Sequence, residues 1–273
     1  MITATVTANK LNVRAGPSLY SPVVGRLQNN DLVAIHHIPP GSAWYRIGTD
    51  RFIHSAYVRL SDSSEVKLRR IDRIRENPVV RDACRKKGLL LPAAWAVLCV
   101  ESAGEAFGPS GRIMIRFEAH KFKKYLPRSL GSVFADYFCF DSDKPWTRQK
   151  FRKHRSSEFQ SFHGSQEKEW IAFDWAREIH EESAYMSISM GAPQIMGFNF
   201  GQIGYRSAKD MFDGFQTEEG QIEGFFDFLS TPMVLALREN RFVDFARLYN
   251  GSGQKERYGK WIREYFEVGL TLI

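Results

Sequence analysis

Two periods of apolar and polar positions follow one another along this chain, and the change falls near residue 61. Before it, short runs alternate with a period of two: residues 2–6, 11–14, 23–27, 31–35, 43–47 and 52–60, each bounded by Gly, Asn, Pro or Asp. Side chains on a strand point to opposite faces in turn, so these runs predict a small all-β barrel or sandwich. Ser61 to Ser64 is a short polar stretch, and beyond it Leu68, Ile71 and Ile74 recur at helical spacing. A second helix is expected over residues 78–87, with Pro78 in its first turn and Gly88 as its stop.

The most apolar run is LLLPAAWAVLCVESAG, residues 89–104. Pro92 suits the first turn of a helix, where its missing N–H costs nothing. Ala93 to Val100 shows no polar face, which predicts a helix buried all round. Gly104 is the expected stop, and Glu101 then falls in the last turn. Desolvation and the negative end of the helix dipole both favour its protonated form. A carboxyl kept protonated near neutral pH is what a general acid needs. A structural glutamate paired with an arginine is the alternative, and on this stretch alone it is the commoner outcome.

Further along, IMIRF at residues 113–117 is a short β-type run leading into Glu118-Ala119-His120. Glu118 is the nearest second carboxylate, with a partner for Arg116 or Arg112 as its alternative role. Residues 125–165 read as a long irregular insertion anchored by Phe134, Tyr137, Phe138 and Phe140. One helix is expected from residue 166 to about 185. SISMGAPQIMGFNF, residues 187–200, is rich in small residues and contains one amide, Gln194. Such a turn, leading into a helix, lets backbone and amide groups approach a ligand closely. Tyr249-Asn250-Gly251 ends a helix starting near residue 242, and the pair could stack on and hydrogen-bond a sugar. Each of these two stretches, taken alone, is more often a tight structural turn.

Composition narrows the class. The chain has 273 residues, 43% of them hydrophobic and 25% charged, which fits one large or two ordinary soluble domains. Its net charge of +7 favours a polyanionic partner: nucleic acid, anionic membrane or wall polymer. Residues 1–60 carry +4 of it, from six Lys/Arg against two Asp/Glu. Arg69, Arg70, Arg73 and Arg75 on the first helix read better as a solvated face than as a nucleic-acid contact. Three cysteines, Cys84, Cys99 and Cys139, have no CxxC spacing, so neither a disulfide framework nor a metal motif is expected. Cys99 is expected as a buried free thiol, which fits synthesis in a reducing cytoplasm. The first residues lack the pattern of a signal peptide, and the longest apolar run is too short to span a bilayer. His180-Glu181-Glu182 misses the HExxH zinc pattern because Ala184 stands where the second histidine would. No nucleotide-binding glycine loop is found, so no cofactor or metal is expected.

LNVRAGPS, VVGRLQNNDLVAI, the Trp44-Tyr45-Arg46-Ile47 strand and AYVRL together resemble a bacterial SH3-type cell-wall-binding domain over about the first 60 residues. One departure is RFIHS, where that family usually carries a Gly-Trp pair. In the rest of the chain, VESAG, GRIMIRFEAHKF, SMGAPQIMGFNF and ARLYNGSGQ are similar to the N-acetylmuramidase domains of phage endolysins, within the lysozyme superfamily, over about residues 70–270. The resemblance implies residues 1–60 as a small all-β SH3-like barrel that binds the wall. It implies residues 61–69 as a linker, and 70–273 as a mainly α lysozyme-like domain with a short β excursion. It further implies cleavage of the β-1,4 bond between N-acetylmuramic acid and N-acetylglucosamine, with Glu101 as the acid and Glu118 as a candidate second group. Glu182 and Asp174 are weaker candidates for that second role. His120, Ser189, Met190, Gln194, Ile195, Met196, Tyr249 and Asn250 are the expected substrate-binding residues.

Hydrolysis with inversion, hydrolysis with retention and a transglycosylase path all remain open at this stage. The expected partner is the glycan strand of peptidoglycan, not nucleic acid, with no stable membrane insertion and a monomeric protein. It is expected to be made in the cytoplasm and to reach the wall through a membrane lesion or a dedicated export route. The rivals are a non-catalytic wall binder, a nucleic-acid binder, and an amidase or peptidase using Cys139 with His154 or His163.

Overall fold

The structure is a computed structural model that describes residues 2–39, 41–102 and 106–273, with Asp62 and Ser102 described by their backbone alone. The chain divides into two compact units, residues 1–100 with 231–273, and residues 101–230.

The alternating runs at the start form strands β1 (Ile2–Val6), β2 (Lys10–Arg14), β3 (Val23–Gln28), β4 (Leu32–Ile35), β5 (Trp44–Gly48), β6 (Arg51–His54) and β7 (Val58–Leu60). They make two antiparallel sheets, ordered β4-β1-β7 and β3-β2-β6-β5. Ile2, Ala4, Val6, Leu11, Val13, Val33, Ile35 and Ile53 fill the space between them, as their period of two requires. The run 52–60 is two strands rather than one. A 3-10 turn, Ser55–Tyr57, separates them, with the His54 ring accepting the Ala56 N–H at 3.3 Å. That turn carries the chain from one sheet to the other. In this same departing segment, His54 lies edge-on to Trp44 at 5.1 Å and against Tyr57 at 5.6 Å.

Helix α1 (Asp62–Asp72) follows at once, with the Ser61 hydroxyl capping its first turn. Most of residues 61–69, expected as a linker, is therefore helical. The arginines here are engaged locally: Arg69 within the helix with Glu65 at 2.9 Å, and Arg75 just beyond it with Asp72 at 3.1 Å. Arg70 donates to the Tyr265 hydroxyl at 2.7 Å. Helix α2 (Pro78–Lys87) starts on an Asn77 cap and stops at Gly88, whose φ of 60° places it in the left-handed region. Helix α3 (Leu91–Ser102) is buried all round from Ala93 to Cys99, as its lack of a polar face predicts. Gly104, the expected stop, lies outside the described residues.

The second unit contains β8 (Ile115–Phe117), α4 (Ala119–Tyr125), α5 (Gly131–Tyr137), β9 (Phe138–Cys139), β10 (Lys150–Phe151), β11 (Gln160–Ser161), α6 (Gln166–Ile179), α7 (Glu181–Met186), β12 (Ile188–Met190), β13 (Ile195–Met196), α8 (Ala208–Gly214) and α9 (Glu218–Phe228). Two expectations are corrected here. Residues 125–165 are only partly irregular: they hold α5 and a small antiparallel sheet ordered β11-β10-β9. Phe134 and Phe138 anchor that sheet in the core, with Tyr137 and Phe140 packed against it. The helix expected over 166–185 is two helices. His180, with φ −161° and ψ 104°, breaks the helical path. Its ring then accepts the Ser183 N–H at 3.3 Å and starts α7. Phe117 lies at the centre of the core, with the rings of Phe122, Phe138, Phe162 and Phe173 between 5.6 and 6.5 Å away.

Helices α10 (Thr231–Arg238), α11 (Phe242–Asn250) and α12 (Lys255–Gly269) return to the first unit. Gly259 lets α12 approach α11 closely, since a Cβ there would lie 2.7 Å from the Val243 side chain. Among the described residues, no helix is long and apolar enough to cross a membrane.

Candidate active site

The second unit gathers most of the residues expected to act on substrate around one three-stranded sheet, ordered β13-β12-β8. Across it, Ser189 stands opposite Arg116 on one side and Met196 on the other, and Met190 stands between Ile115 and Ile195. The Glu118 N–H continues the ladder by donating to the Ser187 carbonyl at 2.8 Å. Glu118, Ser189, Met190, Gln194, Ile195 and Met196 thus belong to one structure although their positions span some 80 residues of chain. His120 follows in the first turn of α4.

The connection between β12 and β13 is tightly determined. Gly191 adopts φ 67°, and a Cβ there would overlap the Gln221 carboxamide. Gln221, fully buried, accepts the Ala192 N–H at 2.7 Å and donates to the Phe215 carbonyl at 2.9 Å. Gln194 itself sits at φ 50°. Its amide donates to the Gly191 carbonyl at 2.8 Å and accepts the Ser189 hydroxyl at 2.8 Å. The expected turn therefore exists, but it closes a hairpin before the 3-10 segment Gly197–Ile203 begins. Met190 and Ile195 are 0% and 2% exposed, so their side chains pack beneath the turn. Met196 and Gln194 are half-buried.

Among the described residues, the outer edge of β8 has no strand partner. Helix α6 supplies one from side chains. Gln166 accepts the Ile115 N–H at 2.9 Å and donates to the Ile115 carbonyl at 2.8 Å. One turn later, Glu169 accepts the Phe117 N–H at 2.9 Å, and its other oxygen lies 2.8 Å from Nδ1 of His163. Residues three apart on a helix share a face, and residues two apart on a strand share an edge, so the two spacings match.

Glu118 leaves this strand with two donors on its carboxylate and an imidazole close by. Nε of Arg116 donates to Oε1 at 2.8 Å, Nε2 of the buried Gln149 donates to Oε2, and Nδ1 of His120 lies 3.3 Å from Oε2. Burial opposes the charge, but His120, Gln149 and Arg116 outweigh it and hold the carboxyl down at about 2.

Glu101 is half-buried in the last turn of α3, where no basic side chain shares the turn. It begins the unit that holds the sheet. Tyr249 and Asn250 belong to the other unit, at the end of α11, where Tyr249 stacks on Phe245 at 5.3 Å and Gly251 ends the helix at φ 83°. The weaker carboxylate candidates are engaged elsewhere. Asp174 holds Arg112 through two hydrogen bonds of 3.1 Å while that guanidinium lies over the Trp170 ring, and Glu182 accepts the Ala208 N–H at the start of α8.

A Cys-His nucleophile finds no support: Nδ1 of His163 faces Glu169, and burial pushes the Cys139 thiol up against the opposing charges of Lys150 and Arg152. Grooves of about 370 and 670 Å³ run beside α6, and of the candidate residues Asp174 alone lines either of them. Gln149, Gln166, Glu169 and Gln221 are the site's supports that sequence reasoning missed. Each bonds a group 31 or more residues away or serves a turn, and no periodicity marks such partners.

Comparisons with known proteins give the family of each domain. The family profile described as N-acetylmuramidase matches residues 90–268, and the bacterial SH3 domain profile matches residues 9–59. Among solved structures, the endolysin of Burkholderia AP3 phage is 28% identical with a TM-score of 0.54, over 70% of this chain and 69% of that one. No curated protein matches. With two thirds of its length inside the matched region, the chain belongs to the N-acetylmuramidases, a family of peptidoglycan hydrolases, and carries a bacterial SH3 domain in front of the hydrolase.

Proposed function

We propose that the enzyme cleaves the β-1,4 bond between N-acetylmuramic acid and N-acetylglucosamine, acting as a glycoside hydrolase with Glu101 as general acid. Glu101 protonates the glycosidic oxygen as the oxocarbenium-like transition state forms. Glu118 takes part as a fixed negative charge. A carboxyl held at about 2 is a weak base, so its contribution is electrostatic stabilisation of the developing positive charge. Ser189, Gln194 and Met196 of the β12–β13 hairpin bind the glycan, as do His120, Tyr249 and Asn250. The single observation that carries this reading is the pairing of β8 with β12, which joins an ionised carboxylate to the Gln194 turn inside the matched region.

The barrel of residues 1–60 binds the wall, residues 61–69 connect it, and residues 70–273 form the catalytic domain. The enzyme is made in the cytoplasm, reaches the wall through a membrane lesion or a dedicated route, and acts as a monomer in lysis of the cell. Mass spectrometry of digested peptidoglycan tests the bond: reducing N-acetylmuramic ends support the proposal. Reducing N-acetylglucosamine ends or anhydro ends reject it in favour of a glucosaminidase or a transglycosylase.

A further inference from the structure

Gln149 immediately precedes β10 in the insertion and is 1% exposed. Its Nε2 donates to Glu118, 31 residues away. Its Oε1 is buried and, among the described residues, has no hydrogen-bond partner. An amide buried with one side unsatisfied is costlier than an apolar side chain of the same shape. The donation to Glu118 is therefore what an amide supplies at this position and a methionine would not.

The charged groups facing Glu118 are Arg116 from β8 and His120 from α4. Arg116 is 52% exposed, so solvent screens it. His120 is a titratable side chain, and a histidine's charge depends on pH. Gln149 is the donor that is both buried and uncharged at every pH.

We propose that Gln149 is a positioning residue for the wall-cutting reaction, holding the Glu118 carboxylate ionised and in one orientation from within the 125–165 insertion. This rests on Glu118 belonging to the catalytic machinery. Without the Gln149 donor, burial is less opposed and favours the protonated carboxyl. A glutamate at 149 goes further, because two adjacent carboxylates share one proton.

The test uses the full-length chain as wild type, Gln149→Met, Gln149→Glu and Glu118→Gln. Initial rates on purified peptidoglycan are measured across pH, with a urea midpoint for each variant at each pH. The expected result is an acid limb moved upward by about one pH unit or more in Gln149→Met and further in Gln149→Glu. A methionine variant that fails to fold leaves the decision to Gln149→Glu, which keeps the shape. Unmoved acid limbs in the folded variants, with Glu118→Gln inactive, overturn the role of Gln149 alone. A Glu118→Gln enzyme as active as wild type overturns the reading of Glu118 and the role of Gln149 with it.

Discussion

Gln166 stands in for a missing β-strand: its side-chain amide takes both the N–H and the C=O of Ile115, at 2.9 and 2.8 Å. With Glu169 on the Phe117 N–H, α6 closes the edge of the strand that ends at Glu118. The other edge is closed by β12. A strand of three residues is thereby held on both sides.

Gln166→Ala should open that edge. Two backbone groups of the buried Ile115 lose their partner, at a cost of roughly 1–3 kcal/mol. Urea denaturation measures it, and activity at a temperature well below the melting point should fall as well, because the strand carries Glu118. An unchanged midpoint would show that solvent or a shifted helix replaces the clamp.

Gly191→Ala should damage the Gln194 turn. The left-handed φ of 67° and the overlap with Gln221 both oppose a Cβ. Destabilisation of about 1–3 kcal/mol is expected, with a loss of peptidoglycan clearing that exceeds the loss of folded protein. Gln194 is tied to the Gly191 carbonyl, so the turn cannot move without it.

The depressed Glu118 carboxyl links stability to pH. Its folded value of about 2 lies below the ordinary 4.5, so its stabilisation is present above 4.5 and is lost as pH falls from there towards 2. The full effect is roughly 3 kcal/mol. Urea midpoints for wild type and Glu118→Gln should differ most near pH 7, and the difference should shrink steadily as pH falls from 4.5 towards 2. A difference constant across pH would contradict the assignment.

Thiol chemistry should separate the cysteines. Burial pushes Cys84 and Cys99 up to about 12, against weak opposition at Cys99 from Arg70 and Arg73. Both should resist a thiol reagent in the native protein and react in denaturant, while the half-buried Cys139 reacts slowly in the native state. Rapid native labelling of Cys99 would show that α3 is open to solvent.

Much of this molecule was legible in its sequence because local pattern and local structure coincide. Leu11 and Val13 alternate with polar neighbours and are buried strand positions, and Ala93 to Cys99 lack a polar face and are buried all round. Gly88 stops α2 as its place predicts. The break at His180 was hidden, because Trp170 to Tyr185 keeps a helical pattern across a residue whose backbone is extended. The short strands β9 to β11 were hidden for another reason: two-residue pairings leave no period to detect. The supports Gln149, Gln166, Glu169 and Gln221 look like surface residues in the sequence, and only their distant backbone and carboxylate partners bury them. The residues proposed to touch substrate carry motifs, whereas those that hold them in place carry none.

The central claim is that Glu101 delivers the proton that breaks the glycosidic bond, and the rate of Glu101→Gln on purified peptidoglycan tests it most directly. The account predicts a folded variant, with wild-type urea midpoint and wild-type wall binding, whose hydrolysis is slower by roughly a hundred- to ten-thousand-fold at every pH. A folded Glu101→Gln enzyme that releases muropeptides at the wild-type rate would contradict it.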